Sequence, residues 1–256
     1  MDHEERMKLA QFLTTRIVET YGEDVLFVGV YGSVARNEDK EFSDLVLIVI
    51  TRRKIPTWFF IYKDIVVLIH CITYEDAVKS LSNPDDPWWF GWVGSILYCE
   101  KLYGSDNLLK KLKECVYSIS GEDYREAAAK RLIWMLEFLN QIRNAYYERD
   151  LYSAISSALY FRNVAGEFVA LLNETHYKSH VFRSLEEARN FKKLPKHFFQ
   201  LMRALGVSND LETIHKSALE LWKNSIQIAK ENGINIQSYM SFDEIKFQNA
   251  LRFNLT

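Results

Sequence analysis

The sequence predicts an α+β fold: a mixed sheet flanked by helices over residues 1–120, then an all-helical bundle over residues 121–256. Strand-length apolar runs rich in β-branched residues, VLFVGVY, LVLIVIT and IVVLIHCIT, crowd the first third of the chain. Beyond Tyr124 no strand signal rises above helical periodicity. With only 10 Gly and 4 Pro in 256 residues, long regular elements and few loops are expected.

Residues 1–22 open as an amphipathic helix, with Met7, Ala10, Leu13, Ile17 and Val18 at helical spacing and Gly22 as its stop. Val25–Tyr31 is a strand, Gly32-Ser33 a turn, and Val34–Asn37 is expected to begin a helix. Glu38–Phe42 is a loop, and Leu45–Thr51, apolar almost throughout, is a strand buried on both faces. After a turn at Arg52–Pro56, Trp58–Tyr62 and Ile65–Thr73 supply further strands. Tyr74–Leu81 is a helix with Glu75 and Asp76 in its first turn, where they favour the dipole. Asn83–Trp89 is a loop, and Trp92–Glu100 fits strand or helix equally. Leu108–Leu112 and Tyr124–Ala145 are helical, and breaks fall near Asp150, Asn173–Ser179, Lys193–Pro195 and Gly206–Asp210.

Composition narrows the function. A balance of 32 Lys+Arg against 34 Asp+Glu argues against a nucleic-acid-coating protein. The 3 cysteines (Cys71, Cys99, Cys115) show neither disulfide nor zinc spacing. The charged opening MDHEERMK lacks the apolar core of a signal peptide, and no apolar run is long enough to span a bilayer, so a cytoplasmic setting is expected.

The stretch that carries chemistry is Gly32-Ser33-Val34-Ala35-Arg36, then Ser43-Asp44-Leu45-Val46. A strand running into a Gly-Ser turn and a helix start points backbone N–H groups at an anion. Gly32 permits close backbone approach to a phosphate, the Ser33 hydroxyl donates to it, and Arg36 neutralises its charge. Asp44, at the head of the next strand, is placed to hold a divalent metal that bridges phosphate oxygens.

The run VYGSVARNEDKEFSDLVLIVI, the segment LEFLNQIRN from Leu136 and the tail ENGINI resemble the nucleotidyltransferase superfamily, of DNA polymerase β-like fold, and within it the kanamycin nucleotidyltransferases. The resemblance implies transfer of a nucleoside monophosphate from Mg²⁺-NTP to a small hydroxylated acceptor by a homodimer. It implies phosphate or nucleotide contacts at Gly32, Ser33, Arg36, Ser43 and Arg143, a metal ligand at Asp44, and a general base at Glu137. Gln141 stands where the family has a lysine.

Such enzymes carry two further carboxylates, which here fall on Val46 and, on the neighbouring strand, near Leu68. Hydrocarbon cannot ligate Mg²⁺, so any metal is held weakly and at a single site, and catalysis suffers more than nucleotide binding. The alternative is a catalytically degenerate nucleotide-binding or regulatory homologue. His70 lies one step beyond Leu68 on the same face, roughly 6–7 Å away, and Asp64 about twice as far the other way. For both, the plainer assignments are a hydrogen-bonded sheet residue and a strand end.

Weaker signals have plain and functional assignments. Trp88, Trp89, Phe90 and Trp92, beside two prolines, read as a loop anchor before a base-stacking cluster. His176 and His180 read as a solvated pair before a chelating one. The tyrosines of the helical half read as packing or a dimer face.

Overall fold

The computed structural model describes residues 1–179, 184–236 and 238–241. The chain divides into two compact units, Met1–Ser120 with His176–Arg183, and Gly121–Thr175 with Ser184–Thr256. The short segment beginning at His176, placed by the sequence in the helical half, thus groups with the first unit.

In the first unit, α1 (His3–Tyr21) is closed at its N-terminus by a reciprocal capping box between Asp2 and Glu5. It leads to β1 (Val25–Tyr31), β2 (Leu45–Thr51), β3 (Trp58–Tyr62) and β4 (Ile65–Thr73). Helices α2 (Tyr74–Leu81) and α3 (Trp89–Leu97), strand β5 (Glu100–Gly104) and helix α4 (Asp106–Tyr117) follow. The sheet order is β3-β4-β2-β1-β5. β2 runs parallel to β4, and the remaining pairs are antiparallel, so the sheet is mixed.

Strand alternation sorts each strand between two layers. Val28, Val30, Leu45, Leu47, Val49, Val67 and Ile69 pack with Ala10 and Ile17 of α1 in one buried cluster. The intervening residues, among them Val46, Ile48 and Ile50, turn to the opposite face, against which α2 and α3 pack. β2 is buried at every position, as an apolar strand between two layers must be.

One expectation fails here and one open alternative is resolved. Val34–Asn37 does not begin a helix: Arg36 and Glu38 both donate backbone N–H to the Ser33 carbonyl, and Asn37 donates to Val34. Asn37 then takes a left-handed φ of 53°, which ends the turn, and no apolar periodicity follows to pay for another. The ambiguous Trp92–Glu100 stretch is resolved as the end of α3, with the edge strand β5 beginning at Glu100.

The second unit holds α5 (Gly121–Glu148), α6 (Leu151–Leu172), α7 (Ser184–Glu187), α8 (Phe198–Val207) and α9 (Leu211–Glu231). Asp150 caps α6 by accepting the Ser153 N–H at 3.0 Å. α5 packs mainly on α6 and also on α9. Their interior contains a buried ion pair, in which Arg131 Nε donates to Glu167 at 2.7 Å. Burial pushes the Glu167 carboxyl up and Arg131 partly offsets it. The ENGINI tail is a helix stop: Gly233, at φ 74°, donates to Lys230 and Ile234 to Ala229, closing α9 with a Schellman motif. Among the described residues no helix is long and apolar enough to cross a membrane.

His70 packs its ring on Trp92 of α3, centroids 4.5 Å apart, and burial holds its pKa below the ordinary value. The unfolded chain therefore binds the proton first as pH falls, and stability rises with pH across that interval. Denaturant titrations of the wild type are expected to lose stability as pH falls from about 6.5 through the lowered His70 value. His70→Gln removes that part of the slope; an unchanged slope in the variant contradicts the assignment.

Candidate functional site

The site is organised by a side chain that carries no motif. Arg6 continues the buried stripe of α1 through Ala10, Thr14 and Ile17, yet only 1% of it is exposed. Its guanidinium donates to the carbonyls of Lys40 and Glu41 at 2.8 Å each, to Ser43 at 3.2 Å and to the Asp39 carboxylate at 2.8 Å. His3 Nδ1 lies 2.7 Å from the other Asp39 oxygen. A planar fork with fixed donors suits a loop whose carbonyls must all be satisfied away from water. Through these bonds α1 fixes the 39–43 loop and with it the point at which Asp44 enters β2.

The Ser43 hydroxyl is used in that same loop, where it accepts the Lys40 N–H at 2.9 Å. It tightens the turn before Asp44 and is not among the pocket's lining residues.

A cavity of about 580 Å³ opens where β1, the Gly32 turn and the head of β2 meet the start of α3. Tyr31, Gly32, Ser33, Arg36, Asp44 and Val46 line it on the sheet side. Glu38, Trp88, Phe90, Gly91, Gly94, Ser95, Lys178 and Ser179 complete the wall. Its size is that of a small-ligand pocket, and every lining residue belongs to the first unit. The Gly32, Ser33, Arg36 and Asp44 of the sequence motif are thus brought together. Gly32 has φ 81° and nothing within 4 Å of where a Cβ would stand, so its backbone is open to a ligand at a conformation that side chains disfavour.

Arg36 Nε donates to Glu38 at 3.0 Å, and its Nη1 donates to the Lys178 carbonyl at 3.4 Å. Lys178 Nζ stands 5.7 Å from the Tyr98 ring centre. Two cations, Arg36 and Lys178, therefore face two carboxylates, Glu38 and Asp44, a formal balance rather than an excess of positive charge. Burial raises the Tyr31 phenol's pKa, and the charge of Asp44 raises it further, so Tyr31 stays neutral.

Pairing register tests the metal site that the resemblance implies. Val46 lies opposite Tyr31 of β1 on one side and Leu68 of β4 on the other. A Tyr–Val–Leu row thus crosses the sheet face where a carboxylate platform is required. Among the described residues no group of three or more His, Cys, Asp or Glu is gathered to hold a metal. These residues do not fit a two-ion site. Neither candidate substitute mends it: His70 packs at a tilt against Trp92 and does not line the cavity, and Asp64, at φ 64°, forms the tight β3–β4 turn with Lys63.

Glu137 and Arg143 stand on α5 in the second unit. Glu137 is exposed and accepts from Gln141 Nε2 at 3.2 Å, while Arg143 donates to Asn140 at 3.0 Å. His176 is not on a helix; its Nε2 lies 2.8 Å from the Tyr98 hydroxyl. His180 lies outside the described residues.

A family model described as the KNTase C-terminal domain matches residues 106–235. Two curated relatives, one from Staphylococcus aureus and one from a Bacillus species, are each named aminoglycoside nucleotidyltransferase (4'). Each is 24% identical over 234 residues, covering 89% of this chain and 90% of its own length. The crystal structure of a nucleotidyltransferase-like protein from Exiguobacterium sibiricum has the same fold, with a TM-score of 0.53 at 15% identity, covering 88% of this chain and 78% of that one.

Arg6→Met leaves one Asp39 oxygen and three carbonyls without their Arg6 donor, with His3 remaining on Asp39. The variant is expected to lose about 3–5 kcal/mol of stability, and amide exchange should quicken in residues 39–44 ahead of β1. Unchanged protection in that loop contradicts its dependence on Arg6.

Proposed function

Because this chain belongs to the KNTase C-terminal domain family, within the nucleotidyltransferase superfamily, we propose that its first unit binds a nucleoside triphosphate and passes the nucleoside monophosphate to a small hydroxylated acceptor. The single observation that carries this reading is the shared pocket of Gly32, Ser33, Arg36 and Asp44. Gly32 and Ser33 offer backbone and hydroxyl donors to phosphate oxygens. Arg36 and Lys178 neutralise the polyphosphate, exchanging Glu38 for the ligand in the case of Arg36. Positioning and charge neutralisation are most of what phosphoryl-type transfer asks of a protein.

In the transfer, the acceptor oxygen forms a bond to the α-phosphorus, the bond to pyrophosphate breaks, and the acceptor's proton passes to Glu137. A single Mg²⁺ carried in with the nucleotide would need only one or two protein carboxylates, and Asp44, immediately before β2, would supply one. Aminoglycosides, named for the two relatives, are the first acceptors to test. The same reading includes a homodimer working in the cytoplasm. The apolar face of α6 formed by exposed Ile155, Leu159 and Tyr160 supports the dimer.

A second reading is favoured by one observation, the Tyr31–Val46–Leu68 row. With hydrocarbon at two carboxylate positions the pocket can retain a nucleotide while transfer is lost, leaving a sensor or regulator.

The two readings separate on acceptor-dependent pyrophosphate release from ATP and GTP with a panel of aminoglycosides. The first predicts measurable release by the wild type, abolished in Asp44→Asn and raised at least about tenfold in the Val46→Glu, Leu68→Glu variant, which is about 1.4 kcal/mol of barrier. No release by the wild type, with release gained in that double variant, selects the second reading.

A further inference from the structure

We propose that Trp88 is the ring-recognition residue of the pocket, stacking its indole on the planar base of the bound nucleotide and favouring purines over pyrimidines; this rests on the nucleotide reading above. The aromatic run at the start of α3 is split by the fold. Trp89 is fully buried, and its indole N–H donates to the Leu81 carbonyl at 3.1 Å. Phe90 is buried as well, packing edge-on to Trp89 at 5.0 Å and against Tyr177. Trp92 is engaged by His70. These three account for the anchoring of the loop.

Trp88 remains 71% exposed while lining the cavity. Its backbone is nonetheless held on both sides: its N–H donates to the Asp86 carboxylate at 2.7 Å, and its carbonyl accepts the Trp92 N–H at 3.0 Å as α3 begins. From this fixed backbone Trp88 presents a large apolar ring to the cavity, where a flat partner can cover it. Gly91, one turn on, lines the same cavity and adds no side chain to the helix surface beside Trp88. Arg36 and Lys178 line the same cavity, so one ligand with a planar ring and a polyphosphate tail satisfies both ends.

Stacking reads ring area rather than hydrogen-bond pattern, so adenine and guanine are held alike and the smaller pyrimidines less well. No base-edge readout is required.

The test is calorimetric titration of the full chain with ATP, GTP, CTP and inorganic tripolyphosphate, for the wild type, Trp88→Ala and Trp88→Phe. Loss of one base–aromatic stack is expected to weaken ATP and GTP roughly tenfold or more in Trp88→Ala. Tripolyphosphate affinity should be unchanged, and Trp88→Phe should retain most of the purine affinity. Because Trp88 is exposed, thermal unfolding of both variants should match the wild type. Equal weakening of ATP and tripolyphosphate, or no weakening of either, overturns the stacking role. Wild type that binds tripolyphosphate as tightly as ATP overturns it too while leaving the phosphate site standing. Failure to bind any of the four ligands overturns the nucleotide reading itself, and the stacking role with it.

Discussion

The buried guanidinium of Arg6 is the constraint on which the site depends. A charge removed from water is tolerated only when paired and fully hydrogen-bonded, and Arg6 meets that condition with the backbone of one loop and the Asp39 carboxylate. The loop is therefore not free to wander, although its own sequence, NEDKEFS, has no apolar residue that the core could hold except Phe42, which is exposed. Asp44 leaves this loop directly into a strand buried at every position. A helix packed on one face of the sheet thereby sets the position of Asp44, the acid that stands immediately before β2 and lines the pocket.

Much of this was legible in the residues, for physical reasons that differ by element. β1 to β4 and α2 announce themselves because their apolar runs are bounded by turn residues, and β2's unbroken hydrophobicity requires a layer on each side. β5 escaped notice because Glu100–Gly104 is a mostly exposed edge strand and carries little apolar signal. α3 was ambiguous because Trp89–Leu97 is apolar almost all round, which gives no periodicity to read. Arg6 could have been found: it sits four residues before Ala10 and eleven before Ile17 on the buried stripe, but a charge at that spacing reads as a solvated face. Lys178 could not, because its carbonyl meets Arg36 across 142 residues of chain, a juxtaposition that only the tertiary fold creates. The expected helix after Gly32 failed on a single residue, Asn37, whose left-handed backbone closes the turn.

On the proposed reading, the pocket has the cations that a polyphosphate would need and lacks two of the carboxylates that metal ions would need. Arg36 and Lys178 would act on the polyphosphate through charge and hydrogen bonds that need no metal. The Val46–Leu68 pair offers nothing to a cation, and its register leaves no freedom to recruit a neighbour, since a one-residue slip would send β2's core face to the wrong layer. On that reading, nucleotide binding and transfer would be separable here to a degree that an intact carboxylate set would forbid.

The most direct measurement is calorimetric titration of ATP with Mg²⁺ and again with excess EDTA, on the wild type and on Arg36→Ala. If protein cations rather than a carboxylate-held metal secure the nucleotide, affinity in EDTA stays within a few-fold of that in Mg²⁺, and Arg36→Ala loses binding in both. Binding that vanishes in EDTA, or that persists undiminished in Arg36→Ala, contradicts this account.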